Sequence, residues 1–170
     1  IGLALDKALA KRVARSAGIA TAPYYVTDGT GPVDSWLRYP LFAKPAAEGS
    51  SMGITASSLC RDKEQLRAAV ERLLRYGPVL VEEFLSGDEY TVGIIDGQVL
   101  GAMQIVPRAR EEQFIYSLEV KRDYLQRVDY RLADDQDVKK VALDVWRAFD
   151  LRDVARVDVR RDRDGVPNFV

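Results

Sequence analysis

The sequence predicts an α+β protein organised in two lobes. Three observations lead there. The first half alternates helical periodicity with short apolar strands. The second half is rich in β-forming residues joined by Asp-Gly turns, with one long amphipathic helix among them. A turn at Leu85-Ser86-Gly87-Asp88 separates the halves, giving expected lobes of residues 1–86 and 87–170. A length of 170 residues suits one domain or two small lobes.

The elements follow in order. From about Leu5 to Ala17, Leu5, Ala8, Leu9 and Val13 recur on one face, with Lys and Arg opposite and Gly18 placed as a C-terminal cap. Pro23 to Val26 and Leu41 to Lys44 read as short strands. Asp62 to Arg75 is helical: Leu66, Ala69, Val70, Leu73 and Leu74 form its stripe, Asp62 and Gln65 resemble a capping box, and Gly77-Pro78 ends it. Val79 to Phe84 reads as a mostly buried strand. Glu89 to Ile95 and Gln98 to Val106 form a hairpin across Asp96-Gly97. Pro107 to Tyr124 is charged and aperiodic and is expected to be a long loop. Asp134 to Phe149 is the clearest helix, with Val138, Val141, Ala142, Val145, Trp146 and Phe149 in phase. Val154 to Arg161 and Val166 to Val170 form a second hairpin across Asp164-Gly165.

Composition narrows the chemistry. The chain is 47% apolar and 30% charged, the balance of a globular protein. Its 25 Lys and Arg offset 26 Asp and Glu, so bulk attraction to nucleic acid or to an anionic membrane is not expected. There is no histidine, which removes Ser-His-Asp triads and imidazole-ligated metals. Chemistry must run on Lys, Arg, carboxylates, backbone amides or a hard metal. The single cysteine, Cys60, has no intrachain partner for a disulfide, which points to a reducing, cytoplasmic compartment. It is expected to be an inert small residue near a strand end. No apolar run reaches the ~20 residues that span a bilayer. The chain opens at Ile1-Gly2-Leu3 without Met and stops at Phe169-Val170, so it is expected to be a piece of a longer protein.

Three constellations stand out, each with a plainer alternative. In "YPLFAKPAAEGSSMGI", Phe42 and Lys44 share one strand face, Pro45 fixes the chain's exit, and the loop from Glu48 to Gly53 lets amides and hydroxyls approach a ligand. Together they suit phosphates, although no Walker A pattern is present. The alternative is an exposed lysine beside a surface loop. Glu82 and Glu83 end an apolar strand, and alternation turns one of them inward, where ligand hydroxyls are a fitting partner. Glu89, just past the turn, can act likewise; the alternative for each is a solvent-facing glutamate. Arg156, Asp158 and Arg160 line one face of a strand with Val157 and Val159 behind. Asp158 suits Mg²⁺ and Arg156 a developing anion, whereas the plain reading is a salt-bridge ladder in water. For Lys121 the plain reading is a solvated surface lysine.

The order of these blocks decides. Asp6-Lys7 opening a helix, "YPLFAKPAAEGSSMGI", "VLVEEFLSGDEYTVGI", "IYSLEVKRDY" and "ARVDVRRDRDGVPNFV" together resemble the D-alanine–D-alanine ligases of the ATP-grasp superfamily, over nearly the whole chain. The resemblance implies two α/β lobes with nucleotide between two antiparallel sheets. It implies ATP-dependent joining of a carboxylate to an amine through an acylphosphate, for cell-wall peptidoglycan. Free amino acids are the expected partners, and a homodimer is an expected state of the full-length parent. By position, Lys7 and Lys44 resemble the phosphate lysines, and Gly49, Ser50, Ser51 and Gly53 the lid over the phosphates. Glu82, Glu83, Phe84 and Leu85 resemble the adenine hinge, and Glu89 the ribose acceptor. Lys121 resembles the γ-phosphate lysine, Arg156 the group that stabilises the transition state, and Asp158 the first ligand of Mg²⁺, with Mn²⁺ as an alternative. The resemblance also marks departures. The sequence opens past the point where the family's N-terminal domain is expected to lie, and a Glu-x-Asn pair of further metal ligands is expected to follow Val170. Lys121 is followed by Arg122, where D-alanine ligases carry Lys-Tyr. Another amino-acid or peptide ligase, or a nucleotide-binding module without ligase activity, are the competing expectations.

Overall fold

The computed structural model describes residues 5–31, 36–49, 51–109, 114–115 and 117–170. The chain forms two compact units. The first comprises Ile1–Ala10, Ala22–Phe84 and Ile115–Arg122, and the second Lys11–Thr21, Leu85–Phe114 and Asp123–Val170.

Helix α1 (Lys7–Ser16) starts at Asp6, whose Oδ1 accepts from the backbone N–H groups of Ala8 and Leu9 at 2.9 Å. The first unit is built on β1 (Tyr24–Thr27), β2 (Leu41–Pro45), β3 (Leu59–Cys60) and β4 (Val79–Glu83), an antiparallel sheet in the order β1-β4-β2-β3. Helix α2 (Lys63–Leu73) covers one face. Its Leu66, Ala69, Val70 and Leu73 pack on Leu41, Ala43, Val79 and Val81. Each large aliphatic side chain buried this way contributes about 1.5–3 kcal/mol. Asp62 caps α2 by accepting from Gln65 N–H at 2.8 Å. The expected capping box is displaced by one residue, because the Gln65 side chain accepts from Arg61 N–H rather than from Asp62. The helix then tightens into a 3₁₀ turn at Leu74–Tyr76. The other face of the sheet carries Phe42, Lys44, Leu80 and Glu82, with Leu80 against Ala8 and Ala46.

The second unit is a five-stranded antiparallel sheet of β5 (Glu89–Ile95), β6 (Gln98–Pro107), β7 (Val128–Ala133), β8 (Val154–Arg161) and β9 (Pro167–Phe169), in the order β7-β6-β5-β8-β9. Helix α5 (Gln136–Ala148) packs Val138, Ala142 and Val145 on Tyr90, Val92, Ile94, Val157 and Val159. Asp135 caps it, accepting from Val138 N–H at 3.1 Å, and pairs with Arg161 of β8 at 2.6 Å. The opposite sheet face carries Glu89, Thr91, Arg156, Asp158 and Arg160.

Four expectations need correction. The apolar face assigned to α1 is only partly its buried one: Ala8 is buried and Val13 half-buried, but Leu5 and Leu9 are exposed, and Ala10, Lys11 and Ala14 are buried in their place. Alanines let backbones approach closely, and Lys11 is accommodated by donating to Thr21 Oγ1 at 2.6 Å. The expected loop from Pro107 to Tyr124 contains helix α3 (Leu118–Arg122) and the start of α4 (Tyr124–Arg127), single turns too short for a periodic signal. Arg110–Gln113 and Tyr116 of that stretch lie outside the described residues. Strand β7 was not expected, since its burial does not alternate; it is a sheet edge, fixed by pairing with β6. Strand β3 is two residues long and exists only through β2.

Candidate functional site

In the first unit a buried cationic cluster forms on the sheet face away from α2. Lys44 and Glu82 pair at 2.7 Å, each side chain 6% exposed. The geometry follows from register. Phe42 lies opposite Glu82 and Lys44 opposite Leu80, so Lys44 and Glu82 are diagonal neighbours on one face, within reach of a long side chain. The alternative of an exposed Lys44 is therefore excluded. Lys7, at the start of α1, donates to Pro45 O at 3.1 Å and to Glu48 O, so its ammonium is tied to the loop that follows β2. Burial first, and the Lys44 ammonium second, push Lys7 down from 10.5 to about 8, against the pull of Glu82, Glu48 and Asp6. Two lysine ammonium groups that repel each other, one of them pushed down by burial, make a site that an anion relieves.

The loop itself turns at Ser51, whose φ is 59°, with Ile54 N–H donating to Ser51 O at 3.1 Å. Gly53 has φ of 75°, and a Cβ there would meet Tyr76, Leu73 and Pro45 at 3.0–3.2 Å, so glycine is required. Gly49 is exposed, and Ser50 lies outside the described residues. Past β4, Phe84 N–H donates to Pro40 O at 3.0 Å, its ring lies 6.1 Å from Phe42, and Leu85 is buried. Glu83 faces the other way from Glu82 and pairs with Arg38 at 3.2 Å. Of the two adjacent glutamates, Glu82 is the inward one. Lys121 stands on helix α3, in the same unit, its N–H bonded to Ser117 O at 3.0 Å.

The second unit gathers the other candidates. Asp158 lies opposite Thr91 in register and accepts from its hydroxyl at 2.8 Å. Arg156 Nε stands 3.3 Å from Asp158 Oδ1, both side chains well exposed. Glu89 lies opposite Arg160 and pairs with it at 3.3 Å, both largely buried. Glu89 is therefore not the solvent-facing glutamate of the plain reading, nor is Arg160 part of a solvated ladder. The sequence reading missed three supporting roles: Glu82 as counter-ion of Lys44, Thr91 as holder of Asp158, and Arg160 as partner of Glu89. Their only sequence signal was strand alternation, which places side chains on a face without naming the strand opposite. Cys60 is buried in β3, and desolvation pushes its thiol up to about 11, which suits an inert residue.

Lys7 has a measurable signature. Its native pKa is depressed, so between pH ~8 and ~10.5 the unfolded chain holds a proton that the native state has lost. Unfolding free energy should therefore gain a positive slope with pH in that window, and the protonated lysine opposes folding below it. Urea denaturation of wild type and Lys7→Met across pH 7–11 isolates this contribution as the difference of the two curves. An unchanged difference across the window would remove the argument.

A family model described as D-ala D-ala ligase C-terminus matches residues 13–170. A D-alanine–D-alanine ligase of Actinobacillus pleuropneumoniae serotype 5b is 37% identical over 174 residues, covering 98% of this chain and 56% of its own length. The ligase of Aquifex aeolicus is 30% identical over 171 residues, covering 96% and 56%. Among solved structures, the D-alanine–D-alanine ligase of Bacillus anthracis superposes with a TM-score of 0.80 at 24% identity, covering 99% of this chain and 56% of that one. The same ligase complexed with ATP gives 0.77 at 23% identity, covering 99% and 54%. At that identity the likeness shows the fold, which this chain shares with those ligases over 99% of its length. The chain spans about 56% of the length of the relatives it matches.

Proposed function

Because this chain belongs to the D-alanine–D-alanine ligase family, we propose that its protein is an ATP-dependent ligase that joins the carboxylate of one amino acid to the amine of another. The observation that carries the reading is the buried cluster of Lys7, Lys44 and Glu82, an excess of positive charge suited to polyphosphate. In this reading the two lobes are residues 1–86 and 87–170, except that Lys11–Thr21 go with the second and Ile115–Arg122 with the first, as in the two compact units. The first substrate's carboxylate attacks the γ-phosphorus of ATP, the bond to ADP breaks, and an acylphosphate forms. The second substrate's amine, losing a proton, attacks the acyl carbon, and inorganic phosphate leaves.

Each residue has a role in this scheme. Lys7 and Lys44 neutralise phosphate charge, and Lys121 meets the γ-phosphate. Gly49, Ser50 and Ser51 present backbone amides and hydroxyls over the phosphates. Glu82, Glu83, Phe84 and Leu85 receive adenine, and Glu89 accepts from the ribose hydroxyls. Arg156 stabilises charge that develops in transfer. Asp158 is the carboxylate for Mg²⁺ or Mn²⁺. Its carboxylate is half-exposed and steadied by Thr91, which fits a hard cation held mainly by phosphate oxygens and water. Among the described residues no cluster of three or more acidic, Cys or His groups forms a complete cage. When bound, such a cation neutralises phosphate charge. No helix among the described residues is long and apolar enough to cross a membrane. In this proposal the enzyme works on free amino acids in the cytoplasm, as a homodimer, and supplies a dipeptide for peptidoglycan.

The test is ADP release by the full-length protein, which should require an amino acid, with D-alanine tried first and other amino acids beside it. Nucleotide binding with no amino acid able to drive turnover would favour a binding module instead. In the same assay Glu89→Ala should raise KM for ATP more than for 2′-deoxy-ATP. Equal losses would assign Glu89 a structural role.

A further inference from the structure

The sequence places Arg160 on a charged strand face, and nothing in the proposed chemistry uses it. In the structure it holds three acceptors at once. Its guanidinium donates to the Glu89 carboxylate at 3.3 Å, to Gly87 O at 3.2 Å and to Phe114 O at 2.8 Å. The pair with Glu89 is 11% and 16% exposed, whereas the Arg156–Asp158 pair two residues earlier is 69% and 41% exposed. Two ion pairs on one sheet face thus lie in different environments. The exposed one is open to reactants, and the sheltered one fixes geometry.

The arrangement is built rather than incidental. Glu89 and Arg160 are direct register partners on β5 and β8. The approach of the turn to β8 requires glycine, since a Cβ on Gly87 would meet Arg161 Cβ and O at 2.8 Å. Gly87 N–H donates to Arg161 O at 2.9 Å, and Arg161 N–H to Asp88 O at 2.9 Å. The turn is therefore clamped where Arg160 reaches its carbonyl. A planar guanidinium spreads its donors in a fixed fork, so one side chain can set three acceptors at once. A carboxylate has about four lone-pair sites, so accepting from Arg160 at Oε2 is compatible with accepting from sugar hydroxyls.

We propose that Arg160 is a positioning residue for the nucleotide: it orients the Glu89 carboxylate for the ribose hydroxyls and ties the turn at Gly87 and the backbone at Phe114 to that carboxylate. This rests on the reading of Glu89 as ribose acceptor. It assigns sugar discrimination to a Glu–Arg unit rather than to a glutamate alone.

Steady-state kinetics of the full-length protein with ATP and 2′-deoxy-ATP test it, in wild type, Arg160→Met, Arg160→Lys, Glu89→Gln and the double variant Glu89→Gln/Arg160→Met. Arg160→Met should raise KM for ATP about tenfold, the scale of one charge-assisted hydrogen bond, and KM for 2′-deoxy-ATP about threefold or less. The kcat values should stay within about twofold, because Arg160 does not touch the reacting atoms. Arg160→Lys keeps the charge and should recover part of the preference; it also carries the test if the Met variant does not fold. In the Glu89→Gln background, Arg160→Met should add less than about twofold. Equal effects on both nucleotides, full additivity with Glu89→Gln, or a fall in kcat at unchanged KM would overturn the proposal. If wild type itself ignores the 2′-hydroxyl, the Glu89 reading fails and this inference fails with it. That result is distinct from a failure at Arg160 alone.

Discussion

Lys44→Ala should abolish detectable nucleotide binding and destabilise the protein by about 3–5 kcal/mol, the cost of breaking a buried ion pair from one side. Both effects come from one contact. Lys44 and Glu82 meet at 2.7 Å in surroundings that leave 6% of each side chain exposed. Removing the ammonium leaves the Glu82 carboxylate buried without its lysine and removes a cation assigned, with Lys7, to phosphate. For a chain of this size the loss corresponds to a fall in melting temperature of roughly 10 °C. A double variant separates the two effects. Lys44→Met with Glu82→Leu removes both charges and fills the space with apolar atoms, so most of the stability should return. Nucleotide binding should not return. Thermal melts and calorimetric titration with ATP read the two outcomes separately. A double variant that recovers binding together with stability would show that Lys44 serves the fold and not the ligand.

Asp158→Asn and Arg156→Ala should behave in the opposite way: large losses of turnover with little change in stability. Their pair is well exposed, at 41% and 69%, and exposed pairs contribute at most about 1 kcal/mol. Their placement on strand β8, backed by buried Val157 and Val159, holds them without depending on them. Arg156→Ala should lower kcat by about a hundredfold to a thousandfold, the range for removing one donor from a developing anion, while ATP affinity changes much less. Asp158→Asn should lower kcat at least as far, since an amide oxygen is a poor ligand for a hard divalent cation. Amino-acid-dependent ADP release by the full-length protein measures both. Normal turnover in Asp158→Asn would withdraw the metal assignment. A melting temperature that falls in step with kcat would make the strand face structural.

Local chemistry was legible in the sequence. Asp6 and Asp62 cap the helices they precede, because their carboxylates reach N–H groups two or three residues away. The stripes of α2 and α5 are the buried ones, because helical periodicity needs no knowledge of the partner. The hairpin at Asp96-Gly97 forms because both residues adopt positive φ, 46° and 75°. Alternation put Arg156 and Asp158 on one face with Val157 and Val159 behind.

Elements with their own periodicity or turn chemistry, the α+β class, and the ordered blocks that carry the resemblance can thus all be read from the residues in line. The partners across strands depend on how the chain folds back on itself. Lys44 could be read as exposed or buried until β2 and β4 were set in register, which placed Glu82, 38 positions along the chain, diagonal to it. Arg160 became the partner of Glu89 only when β8 paired with β5 across a separation of 71 residues. Leu5 and Leu9 are exposed on α1 while Ala10, Ala14 and Lys11 are buried, because alanines allow close packing and the Lys11 ammonium finds Thr21 as an acceptor. Strands β3 and β7 exist because a neighbour offers hydrogen bonds, not because their residues alternate. The physical reason is the same in each case. Helix stripes, caps and turns arise from interactions within a few residues, whereas sheet register and buried charge pairing arise between segments that nothing local brings together.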